Sequence, residues 1–392
     1  MGVVTTCRPV GSVRYDGVLA PFEETPSELR PREMLLSSDT APVRPGEEIN
    51  LSSLAAYLGG VGDLVAGDSP GATLEVEQFP NGHSNLVYLL RTGDREYVLR
   101  RPPLGPVAPK AHDMVREYRV LEAVHPHFPE APEVFHLCED PSVIGASFFL
   151  MERRQGIVIR DHAPVELALI SDYPRRVSEA FIDCLVRLHA IDICQTGLGF
   201  LGKPQGFVER QVRGWADRWA RAKTEDLAEM ERVIQWLDRY IPPSGEATLV
   251  HNDYKLDNVM VVQSADQIGA VLDWEMATVG DPLADLGLAL CYWTWANIAA
   301  QQSGYGPTRT ITMQPGWYTR DEFLQRYADR TGRGIDAIRY HEVLGIFKLA
   351  VILQQIYYRF RRGQTRDDRF RNFDGHVRGL ARLAVALSEK PV

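Results

Sequence analysis

At residues 72–79 apolar and polar positions alternate with a period of two, and β-rich stretches follow up to residue 101. ATLEVEQF (72–79), LVYLLRT (86–92) and REYVLRR (95–101) read as strands, with turn residues between them at NGHSN (81–85) and Gly93-Asp94. Such short connections predict a three-strand antiparallel meander. The period then changes. AHDMVREYRVLEAV (111–124) puts apolar side chains at 114, 118, 121 and 124, which is helical spacing. A second strand pair is predicted around 134–138 and 147–152, ending in SFFLME. Upstream, INLSSLAAYLGG (49–60) starts like a capped helix, with Ser52 or Ser53 near its beginning.

Beyond about residue 155 the pattern turns helical. VSEAFIDCLVRLHAID aligns Val177, Phe181, Cys184, Leu188 and Ile191 on one face, and similar stretches lie near 209–240, 283–300, 320–331 and 336–362. Two β-rich pieces, NVMVV (258–262) and IGAVLDW (268–274), flank a turn and predict a hairpin among the helices. The order predicts an α+β fold with two lobes: an antiparallel sheet with one helix over residues 45–153, then a larger, mostly helical lobe over 154–392. Residues 1–44, rich in proline and charge and without periodicity, read as a poorly ordered extension.

Composition narrows the function classes. A net charge of −9 excludes broad, non-specific nucleic-acid binding, which needs a basic surface. The five cysteines are scattered, with no CxxC pair and no zinc-ligand spacing, as expected of reduced thiols in a cytoplasmic protein. The N-terminus has no apolar core of a secretory signal, and no run approaches 18 apolar residues, so no membrane insertion is expected.

The candidate chemistry sits at LVHNDYKLDN (249–258). In H-x-D-x-x-x-x-N spacing, a carboxylate at Asp253 can accept a hydrogen bond from an attacking hydroxyl. An amide oxygen at Asn258 can reach a metal held by nucleotide phosphates, and His251 can brace the loop. Asp273 lies at the end of the second hairpin strand in VLDWEMATVGDPLADLG (271–287), where it would face Asn258 and complete a Mg²⁺ site. Asp281 and Asp285, in the same segment, read as a helix cap and a loop brace.

These motifs resemble the aminoglycoside phosphotransferase-like kinases, relatives of the protein kinases, in HNDYKLDN (251–258) and in the LDWE around Asp273. The resemblance implies a protein-kinase-like fold using ATP and Mg²⁺. Asp253 would be the catalytic base, Asn258 and Asp273 the metal ligands and His251 a structural brace. Lys255 would neutralise the γ-phosphate, or else be a solvated loop lysine. The phosphates would lie under the turn of NGHSNLVYLL, with Gly82, Ser84 and Asn85. The family's cation on the third strand falls at Arg100 or Arg101. Arg100 is preferred because it shares a strand face with Val98, and Glu117 on the following helix is its partner. Here an arginine stands where the usual pattern has lysine, with a different phosphate-clamping geometry. SFFLMERRQG (147–156) matches the hinge, where adenine would meet the backbone near Met151, Glu152 and Arg153.

A narrower likeness, in YVLRRPPLGP, AHDMVREYRVL, HNDYKLDN and FKLAVILQQIYYRFRRGQT (347–365), is to the subgroup fused to acyl-CoA dehydrogenases in animals. That subgroup is implied to phosphorylate hydroxyacyl-CoA thioesters; no dehydrogenase-like segment follows here, so a kinase domain alone is expected. The segment 291–323 is rich in Trp and Tyr, suited either to an acceptor pocket or to helix packing, and 291–319 contains no carboxylate to bind a polycation. The expected activity is transfer of a phosphate to a small-molecule hydroxyl. The alternatives are an aminoglycoside or protein kinase, a nucleotide-binding pseudokinase, and an acyl-CoA-binding scaffold.

Overall fold

Strand alternation decides which side chains the N-terminal sheet offers to each of its two covering layers. The computed structural model describes residues 39–61, 74–80, 85–105, 112–303, 311–365 and 367–390. The sheet runs in the order β1 (Leu74–Gln78), β2 (Leu86–Thr92), β3 (Arg95–Arg101), β5 (Phe148–Glu152), β4 (Val134–Cys138), each neighbour antiparallel. On one face Tyr88, Leu99, Phe148 and Leu150 pack with Leu54 and Leu58 of α1 (Leu51–Leu58). On the other, Phe149 joins Leu121 and Val124 of α2 (Met114–Val124). Arg100 pairs with Phe149 in register, so its side chain also points to α2. The cap of α1 is Asn50, whose side chain accepts from Ser53 N at 3.0 Å; the serines lie inside the first turn. Of the expected N-terminal extension, residues 1–38 lie outside the described residues. Ala41 is bridged to Gln78 at the end of β1.

After residue 153 helices dominate: α3 (Val165–Ala168), α4 (Tyr173–His189), α5 (Phe207–Ala222), α6 (Ala228–Arg239), α7 (Pro282–Leu290), α8 (Ala296–Ser303), α9 (Arg320–Thr331), α10 (Ile338–Arg361) and α11 (Phe373–Ser388). The helical stretch expected over 209–240 is broken between α5 and α6, where Lys223 turns extended and Gln354 of α10 donates to Ala222 O at 2.9 Å. The hairpin is present as β7 (Val259–Val261) and β8 (Ile268–Val271). A second pair, β6 (Thr248–Val250) with β9 (Thr278–Gly280), was not anticipated, because three residues are too few to show alternation. Nor was α11, although Val377, Leu380, Ala381, Ala384 and Leu387 are buried at helical spacing along it.

The fold is α+β, an antiparallel sheet lobe followed by a helical lobe. At the centre of the latter, α10 is covered by α5, α7 and α11. Among the described residues α10 alone is long and apolar enough to cross a membrane. The burial of Tyr340–Val351, including charged Glu342 and Lys348, makes it a core helix.

The approach of α7 to α10 is set by glycines. A Cβ on Gly287 would lie 2.5 Å from the His341 backbone, and one on Gly345 would lie 2.9 Å from Gly287 O. Neither contact can relax by rotating a side chain. Gly287→Ala is therefore expected to destabilise the fold by about 1–3 kcal/mol, the usual cost of overpacking. This would appear as a lower urea midpoint at unchanged m-value. An unchanged midpoint would mean that the two helices separate freely.

Candidate active site

Two strand pairs bring the two polar loops face to face. The β6–β9 pair sets Val250 against Thr278, and the β7–β8 pair sets Val259 against Val271. The segments 251–258 and 272–277 are closed between these pairs, and Leu272 N donates to Asn258 O at 2.8 Å. Apolar anchors hold each loop down. Tyr254 is fully buried, packs on Phe181 and donates its hydroxyl to Phe181 O at 2.8 Å. Trp274 is buried beside Phe128 and the His251 ring, with its indole N–H on Val271 O at 2.8 Å.

The loop backbone is held by Asp285 of α7. Its Oδ2 accepts from His251 N at 2.6 Å and its Oδ1 from Asn252 N at 2.8 Å. Burial opposes the Asp285 charge, but His189, His251 and these contacts hold its pKa below the ordinary range. Asp281 caps α7, accepting from Leu283 N at 2.9 Å. Asn252 and Asp273 both adopt left-handed backbone, at φ 63° and 67°, a conformation that costs free energy and needs surrounding contacts to persist.

Four side chains meet at Asp253. Lys255 Nζ and Asn258 Nδ2 each lie 2.8 Å from its Oδ2, and the Tyr292 hydroxyl donates to its Oδ1 at 3.0 Å. His251 Nε2 faces Leu272 O at 3.0 Å, and its Nδ1 accepts from Asp253 N at 3.3 Å, so the ring spans both loops. Lys255 is largely buried rather than solvated. Burial lowers its pKa, but Asp253 outweighs this and the net shift is upward.

On the sheet side, Arg100 Nε donates to Glu117 Oε2 at 2.9 Å and its Nη2 to Asp273 Oδ1 at 2.5 Å. Burial works against the guanidinium charge, but Glu117, Asp273 and Glu275 raise its pKa overall. Burial likewise raises Glu117 despite Arg100, whereas Asp273 is held low by Arg100 against its own burial. Asn85 is buried and donates to Glu275 Oε2 at 3.0 Å. Gly82 and Ser84 lie outside the described residues. Met151, Glu152 and Arg153 stand where the sheet ends and the chain crosses to the helical lobe. Arg153 pairs with Glu96 at 2.6 Å, and Glu152 N is taken by Glu133 O at 2.8 Å.

Several contributors escaped the sequence reading. Arg116 of α2 reaches the loop after Asp273, donating to Glu275 O at 2.9 Å and to Ala277 O. Tyr292 and Lys348 lie in long apolar runs, where residue type alone gives no sign of a polar role. Trp293 packs against Phe181, Trp317 and Phe323, and Trp295 donates to buried Glu342 at 2.8 Å; both are packing residues.

The sequence profile described as the phosphotransferase enzyme family matches residues 75–339. The chain belongs to this family. Membership implies phosphotransfer to small-molecule substrates and the use of a nucleotide. Acyl-CoA dehydrogenase family member 10 of Mus musculus is 35% identical over 329 residues, covering 83% of this chain and 30% of the relative. Member 11 of Gallus gallus is 32% identical over 365 residues, covering 91% of this chain and 46% of the relative. The chain thus spans less than half the length of these relatives. A candidate aminoglycoside phosphotransferase from Ralstonia eutropha superposes with a TM-score of 0.72 at 28% identity, covering 87% of this chain and 99% of that one. Aminoglycoside 2'-phosphotransferase-IIIa, solved as a GDP complex, has a TM-score of 0.54 at 11% identity, covering 84% and 98%, and shares the fold.

Beneath the loop, Lys348 is buried with one hydrogen bond, from Nζ to Asn252 Oδ1 at 3.3 Å, and lies 5.6 Å from the Trp215 ring centroid. Burial drops its pKa from 10.5 to about 8, partly offset by Asp285 and Asp253. Below pH 8 the folded protein holds a buried charge, whereas above 10.5 the amine is neutral in both states. The cost of this lysine therefore declines as pH rises through that window. Lys348→Met is expected to stabilise the fold at pH 7 by at most about 3 kcal/mol from the shift alone, seen as a higher melting temperature. The gain should shrink as pH approaches 10. A difference in melting temperature that is flat with pH would contradict a buried ammonium.

Proposed function

We propose that this phosphotransferase moves the γ-phosphate of ATP to a hydroxyl of a small molecule, with a hydroxyacyl-CoA thioester as the acceptor class. The observation that carries the reading is the Asp253 carboxylate, fixed by Lys255 and Asn258 on one oxygen. A carboxylate so placed can orient the hydroxyl and take its proton. As that proton moves to Asp253, the acceptor oxygen bonds to phosphorus, the bond to the β-phosphate oxygen breaks, and ADP leaves.

The residues present also fit Mg²⁺. Asn258 uses Nδ2 toward Asp253 and keeps its amide oxygen. Asp273 gives Oδ1 to Arg100, and among the described residues no donor takes its Oδ2. Both are hard oxygen donors of the kind Mg²⁺ prefers. Among the described residues no cluster of three His, Cys, Asp or Glu forms a metal cage, in keeping with an ion held largely by phosphates and water. Asn258 and Asp273 would hold the ion, which when bound neutralises phosphate charge. Arg100, oriented by Glu117, stays charged at all relevant pH and offers a planar donor fork to phosphate. Lys255 adds positive charge beside the acceptor. His251 braces the loop. The family likeness assigns Gly82, Ser84 and Asn85 to the phosphates, and Met151–Arg153 to adenine. The two lobes divide at residue 153, the nucleotide on the sheet side and the acceptor on the helical side.

The acceptor class is supported by relatives named acyl-CoA dehydrogenases and by the lack of carboxylates in the sequence 291–319, a composition unsuited to binding a polycation. The test is ADP release with ATP and Mg²⁺ against hydroxyacyl-CoAs, sugars, choline-like alcohols and aminoglycosides, with Asp253→Asn as control. Hydroxyacyl-CoAs are expected to stimulate ADP release, with a loss of about 10²-fold or more in the control. Stimulation by aminoglycosides alone would overturn the acceptor class. Undiminished turnover in Asp253→Asn would overturn the base.

A further inference from the structure

Directly after α7 the helix widens into a π-turn over Cys291–Trp295 before α8 begins. Such turns are rare and shift the side-chain register by one residue, often at functional sites. This one is built in rather than frayed. Asn297 Nδ2 reaches both Tyr292 O and Trp293 O at 3.4 Å, and the Thr312 hydroxyl donates to Trp293 O at 2.7 Å. Cys291 and Trp293 are buried on either side, and the Trp293 indole is tied to Tyr318 O at 2.9 Å. Tyr292, between these anchors, is partly exposed, and its hydroxyl donates to Asp253 Oδ1 at 3.0 Å. Its ring also lies under the Lys255 ammonium, 5.0 Å from the centroid, while that ammonium bonds Asp253 Oδ2. The three side chains close a triangle.

We propose that Tyr292 is a positioning residue of the phosphotransfer site: its hydroxyl fixes Asp253 Oδ1 and leaves one lone pair of that oxygen for the acceptor hydroxyl. An ionised carboxylate has about four acceptor positions. Lys255 and Asn258 fill the two on Oδ2, and Tyr292 fills one on Oδ1. The remaining one faces the acceptor. With the plane of the carboxylate set from both ends, the acceptor oxygen has a single approach. Burial and the adjacent Asp253 charge raise the phenol pKa well above its ordinary value, so the hydroxyl remains a donor throughout the working range.

This inference rests on the phosphotransfer reading, and the two fail differently. The variants Tyr292→Phe, Tyr292→Leu and Asp253→Asn are compared by ADP release with ATP and Mg²⁺, on the best acceptor of the panel or on water. Tyr292→Phe keeps the ring and removes only the hydroxyl. It is expected to lower kcat by about 10- to 100-fold, the usual effect of losing an orienting hydrogen bond, with the KM for ATP and the melting temperature unchanged. Crystal structures of wild type and Tyr292→Phe should show the Asp253 carboxylate rotated in the variant, a readout that needs no turnover. Wild-type kcat and an unmoved carboxylate in Tyr292→Phe would overturn the proposal. A defect confined to Tyr292→Leu would do so too, since it would leave Tyr292 a packing residue. Loss of activity in none of the three variants would instead reject the phosphotransfer reading of Asp253.

Discussion

Asp285 is the constraint on which the active-site geometry depends. Its two oxygens hold the amides of His251 and Asn252, and the second of these residues sits in a left-handed conformation that the chain would otherwise leave. The carboxylate is in turn positioned by α7, which lies against α10 with glycine on both sides. A line of contacts therefore runs from helix packing, through one buried carboxylate, to the backbone that carries Asp253. The apolar anchors Tyr254 and Trp274 hold the two loops from below. The polar side chains above them are left little freedom, which is what an arrangement whose chemistry consists mainly of positioning requires.

A second constraint joins the lobes. Arg100 is buried between Glu117 of the sheet lobe and Asp273 of the helical lobe, and Arg116 of the same α2 holds the carbonyls beyond Asp273. Removing one partner of such a network leaves an uncompensated buried charge, which is more costly than never having built it. An arginine suits this position because a planar fork can serve two carboxylates at once, whereas an ammonium presents a point charge. The link also makes α2, the loop around Asp273 and the third strand move as a unit.

The sheet lobe was legible because each strand is a β-rich run of five to seven residues set off by turn residues or by a change of period. The closeness of the 251–258 loop to the segment before Asp273 was legible from motif spacing, since the hairpin between them is short. The short β6–β9 pair was not, because three-residue strands carry no period. Tyr292 was hidden for another reason. In regular helical phase CYWTW is an apolar packing segment, and only the π-turn, held by Asn297 of the next helical turn and by the more distant Thr312, turns the Tyr292 hydroxyl toward Asp253. Lys348 was hidden because a lysine in a long helix is ordinarily a surface residue.

In the proposed function a metal–nucleotide complex is recognised between Asn258, Asp273 and Arg100. The most direct test is calorimetric titration of ATP into the wild-type protein and Asp273→Ala, with and without Mg²⁺. Mg²⁺ is expected to tighten ATP binding to wild type by about tenfold or more, or ~1.4 kcal/mol, and this gain is expected to disappear in the variant. ATP binding that is indifferent to Mg²⁺, or a gain that survives Asp273→Ala, would contradict it.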